Sequence, residues 1–164
     1  MIRYQLTLFL SEQSEVIEHI RSTYNPIQFE LIKAHVTLCR EDEIQSHLNK
    51  IIANCISIDW QKPLPVHFKA PERFSNGKGV FLPASENNQE FHELRKHILQ
   101  KNNIRIHLPH ITLIHPRNAT CTDTIFKNIQ FYSFPTTLLF KKITLIEQID
   151  DKKWNLLEDF PLYK

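Results

Sequence analysis

An α+β fold with largely antiparallel sheets is predicted by three features of this 164-residue chain. Segments with a two-residue apolar period alternate irregularly with segments of helical period, and several are joined by short, hairpin-like turns. Hydrophobic residues make up 41% of the chain, enough to fill a real core at this length. Two short segments, Ala34-His35-Val36-Thr37-Leu38 and Pro109-His110-Ile111-Thr112-Leu113, nearly repeat each other about 75 residues apart. Each has a helical pattern before it and another after it. That weak internal duplication suggests two lobes of similar build within one domain spanning residues 1–164.

The elements follow in order. Residues 2–10 alternate, with Ile2, Tyr4, Leu6, Leu8 and Leu10 on one face and Arg3, Gln5, Thr7 and Phe9 on the other, so the first strand has a mostly polar second face. Ser11 is placed to cap a helix opening with Glu12 and Glu15, its stripe being Val16, Ile20 and Tyr24; Asn25-Pro26 stops it. The first His-x-Thr strand is expected at about 34–39 and a second helix at about 41–55, carrying Ile44, Leu48, Ile51, Ile52 and Cys55. Strands at 64–69 and 79–83 flank a turn from Phe74 to Gly79. Asn87 or Asn88 opens a third helix with Phe91, Leu94 and Ile98 on one side, closed by Asn102-Asn103. The second His-x-Thr strand is expected at about 106–114. Thr120 or Thr122 caps a fourth helix, and strands at about 136–147 and 154–158 end the chain.

Composition excludes several classes of function. The formal net charge of +2 is too mild for a broad, sequence-independent DNA-binding face, although a local basic groove for a few phosphates is compatible with it. Only two glycines are present, Gly77 and Gly79, so neither a P-loop nor a dinucleotide-binding loop is encoded. The three cysteines, Cys39, Cys55 and Cys121, form no CxxC or zinc-ligand spacing and read as reduced thiols. No apolar run has the length of a membrane span, and the N-terminus has no signal-peptide pattern, so a cytoplasmic protein with no membrane partner is expected. No obligate protein partner is evident.

The chemistry is carried by the repeated segments. On a strand, His35 and Thr37 project to one side while Val36 and Leu38 project to the other, into a core; His110 and Thr112 behave the same way. One such histidine on a strand reads as an ordinary polar residue. Two copies, each with its apolar partners in phase, read as two half-sites. The remaining histidines form no comparable set. His92 and His97 sit at i and i+5, not the i and i+4 of a zinc-protease helix. Strand parity turns His107 away from His110, and His115 is out of phase too, but it can fold back at the strand end. Cys39 is in phase with His35 and Thr37 but too far from the imidazole for a direct hydrogen bond, so it either lines the groove or packs.

Two imidazoles that titrate near neutrality can act together as general base and general acid, and two threonine hydroxyls can hold the non-bridging oxygens of a phosphodiester. A strained 2′,3′-cyclic phosphate suits such a site. His35-Val36-Thr37-Leu38 and His110-Ile111-Thr112-Leu113 resemble the paired motifs of the 2H phosphoesterase superfamily, which includes the 2′–5′ RNA ligases and RNA 2′,3′-cyclic phosphodiesterases. The stretch from Ile111 to Asn118 is also similar to bacterial members. The resemblance implies a bilobal α+β fold, pseudo-two-fold symmetric around a central groove, with mainly antiparallel sheets and helices on the outer faces. It implies catalytic roles for His35 and His110, phosphate binding by Thr37 and Thr112, and no required metal or other cofactor. It also implies an RNA end or a cyclic nucleotide as substrate. Hydrolysis, 2′–5′ joining of RNA ends and non-catalytic binding of RNA or nucleotide all remain open at this point, as does which histidine is the base.

Further groove residues are expected from position alone. Gln5 and Thr7 lie on the polar face of the first strand. Phe81, out of phase with Val80 and Leu82, is placed either to stack on a base or to pack in the core. Arg40, Lys78 and Arg117 can neutralise flanking phosphates or stand solvated, and His115 is a supporting candidate.

Overall fold

A computed structural model describes residues 1–101 and 103–164. Its central sheet has the strand order β2-β1-β8-β9, formed by His35–Cys39, Ile2–Phe9, Lys142–Ile149 and Asn155–Pro161. A second sheet has the order β4-β5-β6, from Glu72–Phe74, Gly79–Pro83 and His110–Ile114. A two-stranded sheet pairs β3, Leu64–His67, with β7, Thr137–Phe140. Every pairing is antiparallel. The predicted α+β class is therefore correct. No helix among the described residues is long and apolar enough to cross a membrane.

The helices are α1, Glu15–Tyr24; α2, Pro26–Leu31; α3, Glu41–Ile44; α4, Leu48–Ile56; α5, Gln89–Leu99; and α6, Asp123–Gln130. Several boundaries differ from those read in the sequence. Ser11 caps nothing: the chain turns through Gln13 at φ 52°, and Ser14 occupies the N-cap of α1. Asn25-Pro26 does end α1, but Pro26 also opens α2, because its missing N–H and fixed φ suit the first helical position. The helix expected at 41–55 is broken by a 3₁₀ turn at Gln45–His47, which separates α3 from α4. Of the two caps considered for α6, Thr122 is the one used, its hydroxyl accepting the Ile125 N–H at 3.2 Å. Asn88 is the N-cap of α5, and Gln100, at φ 48°, closes that helix; Asn102 lies outside the described residues.

Strand lengths differ as well. The run 136–147 is two strands in different sheets: β7 pairs with β3, while β8 pairs with β1 and β9. The 64–69 segment does not form a ladder with 79–83. Instead β4 and β5 make the hairpin, through a turn in which Ser75 and Asn76 at φ 56° precede Gly77 at φ 80°. The second His-x-Thr strand starts only at His110, because Pro109 lacks the N–H that a longer ladder requires.

One cluster of buried side chains runs through the molecule. Val36 and Leu38 of β2 and Ile111 and Leu113 of β6 enter it from the two His-x-Thr strands, together with Leu6, Leu8, Leu82, Phe91, Leu94 and Ile98. Each fully buried aliphatic contributes roughly 1.5–3 kcal/mol. Their burial decides the strand faces: with these residues inward, parity turns His35, Thr37, His110 and Thr112 the other way. β2 and β6 are both sheet-edge strands, and they lie against one another.

Candidate active site

The two His-x-Thr strands have the same burial sequence: half-buried, buried, half-buried, buried, buried. In each, the histidine Nδ1 sits against the carbonyl of the residue two positions earlier. The distances are 2.8 Å from His35 to Lys33 and 3.1 Å from His110 to Leu108. A carbonyl only accepts, so Nδ1 carries a proton in both rings, and Nε2 is the nitrogen left to accept or give one. An aromatic ring packs edge-on beside each imidazole, Phe9 at 6.1 Å from His35 and Phe81 at 6.0 Å from His110. Both histidines and both threonines line one cleft of about 260 Å³.

The cleft is predominantly cationic. Arg3, Arg21, Arg40 and Arg117 reach it, with Glu41 as the one carboxylate among its lining residues. Arg21 is almost fully buried and tightly held: one guanidinium nitrogen donates to both Glu18 oxygens at 2.8 and 3.0 Å, and the other to the Ile32 carbonyl at 2.6 Å. The wall that carries it is tied to the end of β6 through Asn25. That residue accepts the His115 N–H at 2.7 Å and donates to Asn118 at 2.7 Å, while Asn118 donates to Gln28 at 3.0 Å. Arg3 donates to Gln148 and lies 5.5 Å over the Trp154 ring.

This environment keeps His35 neutral. Burial lowers its pKa to about 4, against the opposing pull of the Lys33 carbonyl, and the charges of Arg21 and His110 push the same way as burial. His115 is also lowered, by burial and by Arg117. Among the described residues no group of three or more His, Cys, Asp or Glu stands close enough together to hold a metal ion.

Of the groove residues expected from sequence, Gln5, Arg40, His115 and Arg117 line the cleft. Three do not. Thr7 is completely buried between Thr37 and Thr144 on the flanking strands, because β1 is an interior strand whose groove-side face is closed over at that point. Phe81 packs between Phe74, at 5.2 Å, and His110, so it backs the imidazole instead of facing the groove. Lys78 sits exposed in the β4–β5 turn, away from the cleft, because the hairpin carries it outward. Cys39 packs in the core, where burial pushes its thiol pKa far up and keeps it protonated.

His107 is the main correction. It lines the cleft, 6.0 Å from the His110 ring and stacked on Phe91 at 6.3 Å, with its Nε2 3.0 Å from the Thr37 carbonyl. Parity excluded it only under the assumption that the strand ran from 106. Residues 103–109 are irregular, so their side chains follow no two-residue period. His107 donates to the backbone of the opposite half-site and so bridges β6 to β2. Burial and the nearby Arg95 hold its pKa at about 4. Arg3, Arg21, Gln28 and Trp154 were also missed; Arg21 carried a signal, since a charged residue beside Ile17 and Ile20 on the buried face of a helix needs buried partners.

Comparison with known proteins bears on this arrangement. Residues 9–152 match the family model described as the 2′-5′ RNA ligase superfamily. E. coli LigT, solved in complex with phosphate, is similar in fold with a TM-score of 0.63 at 14% identity, over 99% of this chain and 98% of that one. A structure described as a phosphoesterase aligns over 100% of both chains at 15% identity with a TM-score of 0.65. TT0787 of Thermus thermophilus aligns over 98% of this chain and 97% of that one at 16% identity, with a TM-score of 0.59. No curated protein matches the sequence.

Proposed function

This chain belongs to the 2′-5′ RNA ligase superfamily, and from that premise we propose that it is a metal-independent phosphodiesterase opening 2′,3′-cyclic phosphates at RNA ends or on small nucleotides. The observation that carries the reading is the pair of identically anchored imidazoles. Each has Nδ1–H fixed on a backbone carbonyl and Nε2 free, and both line one cationic cleft.

The cyclic phosphate lies between the half-sites, its non-bridging oxygens held by the Thr37 and Thr112 hydroxyls with Arg21, Arg40 and Arg117 offsetting its charge. His35, held neutral, takes a proton from water through Nε2 as the water oxygen bonds to phosphorus. The bond from phosphorus to one ribose oxygen breaks, and His110 acts as the acid, giving an Nε2 proton to that oxygen. The product is a phosphomonoester, and one proton has crossed from His110 to His35. A 5′-hydroxyl in place of water turns the same displacement into 2′–5′ joining. That alternative draws on the family name alone, and non-catalytic binding of RNA or nucleotide on the same groove alone.

The test is a panel of 2′,3′-cyclic nucleotides, cyclic-phosphate oligonucleotides and ADP-ribose cyclic phosphate, with product identification. Hydrolysis that survives chelator is expected, and His35→Ala or His110→Ala should lower its rate by on the order of 10²–10⁴. Full activity in both variants overturns the assignment. Binding without turnover across the whole panel makes the protein a binding module.

A further inference from the structure

On the other side of Trp154 from the catalytic groove lies a larger cleft of about 770 Å³. The two share a partition made of Leu31, Ile32 and Trp154. Trp154 is held there by its backbone N–H, which donates to the Leu31 carbonyl at 3.0 Å, and its ring is engaged by Arg3 from the groove side. The second cleft adjoins the His35 half-site, since Phe9, which lines it, is also the ring packed edge-on against His35.

The lining differs from that of the groove. Phe9 and Phe29, both partly exposed, supply aromatic surface, Trp154, itself only 9% exposed, backs it, and Leu156, 65% exposed on β9, extends it. Lys33 and Lys153 stand on the rim, exposed and in no ion pair among the described residues, whereas Lys142 is engaged by Asp159 at 2.6 Å. Of the two carboxylates, Glu18 is held by Arg21, which leaves Glu30 against two free lysines. Aromatic faces with a cationic rim are what successive bases and backbone phosphates of a single strand require. The volume falls within the range of roughly 300–1,000 Å³ typical of small-ligand sites. Peptide or lipid partners would use the apolar wall but leave the adjacency of a phosphate-sized, cationic groove without a role.

We infer that this cleft is a subsite for the nucleotide preceding a terminal cyclic phosphate, so that the protein favours single-stranded oligoribonucleotides over mononucleotides. The inference rests on the phosphodiesterase reading for its terminal phosphate, but binding in the cleft is measurable without turnover.

The experiment uses Trp60→Phe protein, in which Trp154 is the sole tryptophan. A tetraribonucleotide ending in a 3′-phosphate and a nucleoside 3′-monophosphate are titrated by calorimetry and by tryptophan emission. The tetranucleotide should bind about fivefold tighter or more, the lower end of one base–aromatic stack, and should alter Trp154 emission. Leu156→Glu and Lys153→Glu, both at exposed positions, should abolish that advantage and leave mononucleotide affinity unchanged. Equal affinity for the two ligands, an advantage that leaves Trp154 emission unaltered, or an advantage that persists in both variants overturns the subsite. If the tetranucleotide binds as expected but no cyclic phosphate is turned over, the subsite stands and the phosphodiesterase reading fails. If cyclic mononucleotides are opened with no preference for the oligomer, the reverse holds.

Discussion

His35 and His110 are anchored alike, and the proposed base role of His35 rests on what surrounds its ring. Burial, Arg21 and His110 itself disfavour a proton on His35, so its pKa of about 4 leaves it a neutral acceptor through the physiological range. The acid limb of kcat/KM, which reports the free enzyme, should therefore lie near pH 4, rate rising as His35 loses its proton. The limb in kcat should lie higher, because a bound phosphate anion favours the protonated ring. An acid limb in kcat/KM near the ordinary histidine value of about 6.5 would transfer the base role away from His35. At the same scale, Thr37→Val removes one donor to the non-bridging oxygens and should cost on the order of 10²–10³ in kcat with the fold intact. These four residues were legible because two-residue parity and a buried apolar partner constrain them in the sequence. His107 was not, because its place in the groove comes from an irregular segment ahead of Pro109, for which no period exists to read.

Whole elements are pinned to the groove by a single buried arginine. Arg95 of α5 is fully buried; it donates to both Glu43 oxygens, at 2.6 and 3.1 Å, to the Leu38 carbonyl of β2, and to the Arg105 carbonyl at 3.2 Å. It thus joins α5, α3, the first His-x-Thr strand and the approach to the second. Glu43 also accepts the Arg40 N–H at 2.9 Å, which fixes the chain where it leaves β2. Removing one partner of such a pair leaves the other charge buried and uncompensated. Glu43→Ala should therefore lower the unfolding free energy by about 3–5 kcal/mol, measured by urea denaturation. A loss under about 1 kcal/mol, the range of an exposed pair, would show that the pair is solvated in the protein. Of the helices that meet here, α5 is legible from its apolar stripe, whereas α3 is legible only as the start of one helix over about 41–55, which the 3₁₀ turn at Gln45–His47 divides. The pin was not read, although Arg95 stands four residues after Phe91, on the same buried face as Leu94 and Ile98. An arginine inside an apolar stripe is a visible demand for buried acceptors; which acceptors answer it depends on sheet packing that no local pattern records.

The sheets that carry the two His-x-Thr strands meet at their edges, β2 against β6, and a hydrogen bond from a neutral histidine adds to that contact. His107 donates to the Thr37 carbonyl from a site where burial and Arg95 hold its pKa at about 4, and His35 is held at a similar value across the same groove. Duplicated half-sites were evident from the repeated motif, but the way they close on each other was not, since it depends on the route of the 103–109 segment. That closure carries a pH signature for the whole molecule. In the unfolded chain both imidazoles take up protons near pH 6.5, whereas in the folded protein neither does until about pH 4. The unfolded state then binds more protons across that window. Stability is thus fully present above about pH 6.5 and is lost as pH falls toward about 4. Glu43 adds a second, more acidic loss. Its burial favours the protonated form, but the hydrogen bonds from Arg95 and Arg40 outweigh this and hold its pKa below the usual carboxylate value, so its contribution disappears below about pH 4.3. Urea unfolding at pH 7.5, 5.5 and 4.5 should give a stability that falls from the first step onward, before carboxylates titrate. In His107→Phe, which keeps an aromatic ring against Phe91 but cannot titrate, the fall between pH 7.5 and 5.5 should be visibly shallower. An identical slope in wild type and variant would mean that His107 is free to protonate in the folded protein, and that the bridge between the sheets does not depend on its neutral form.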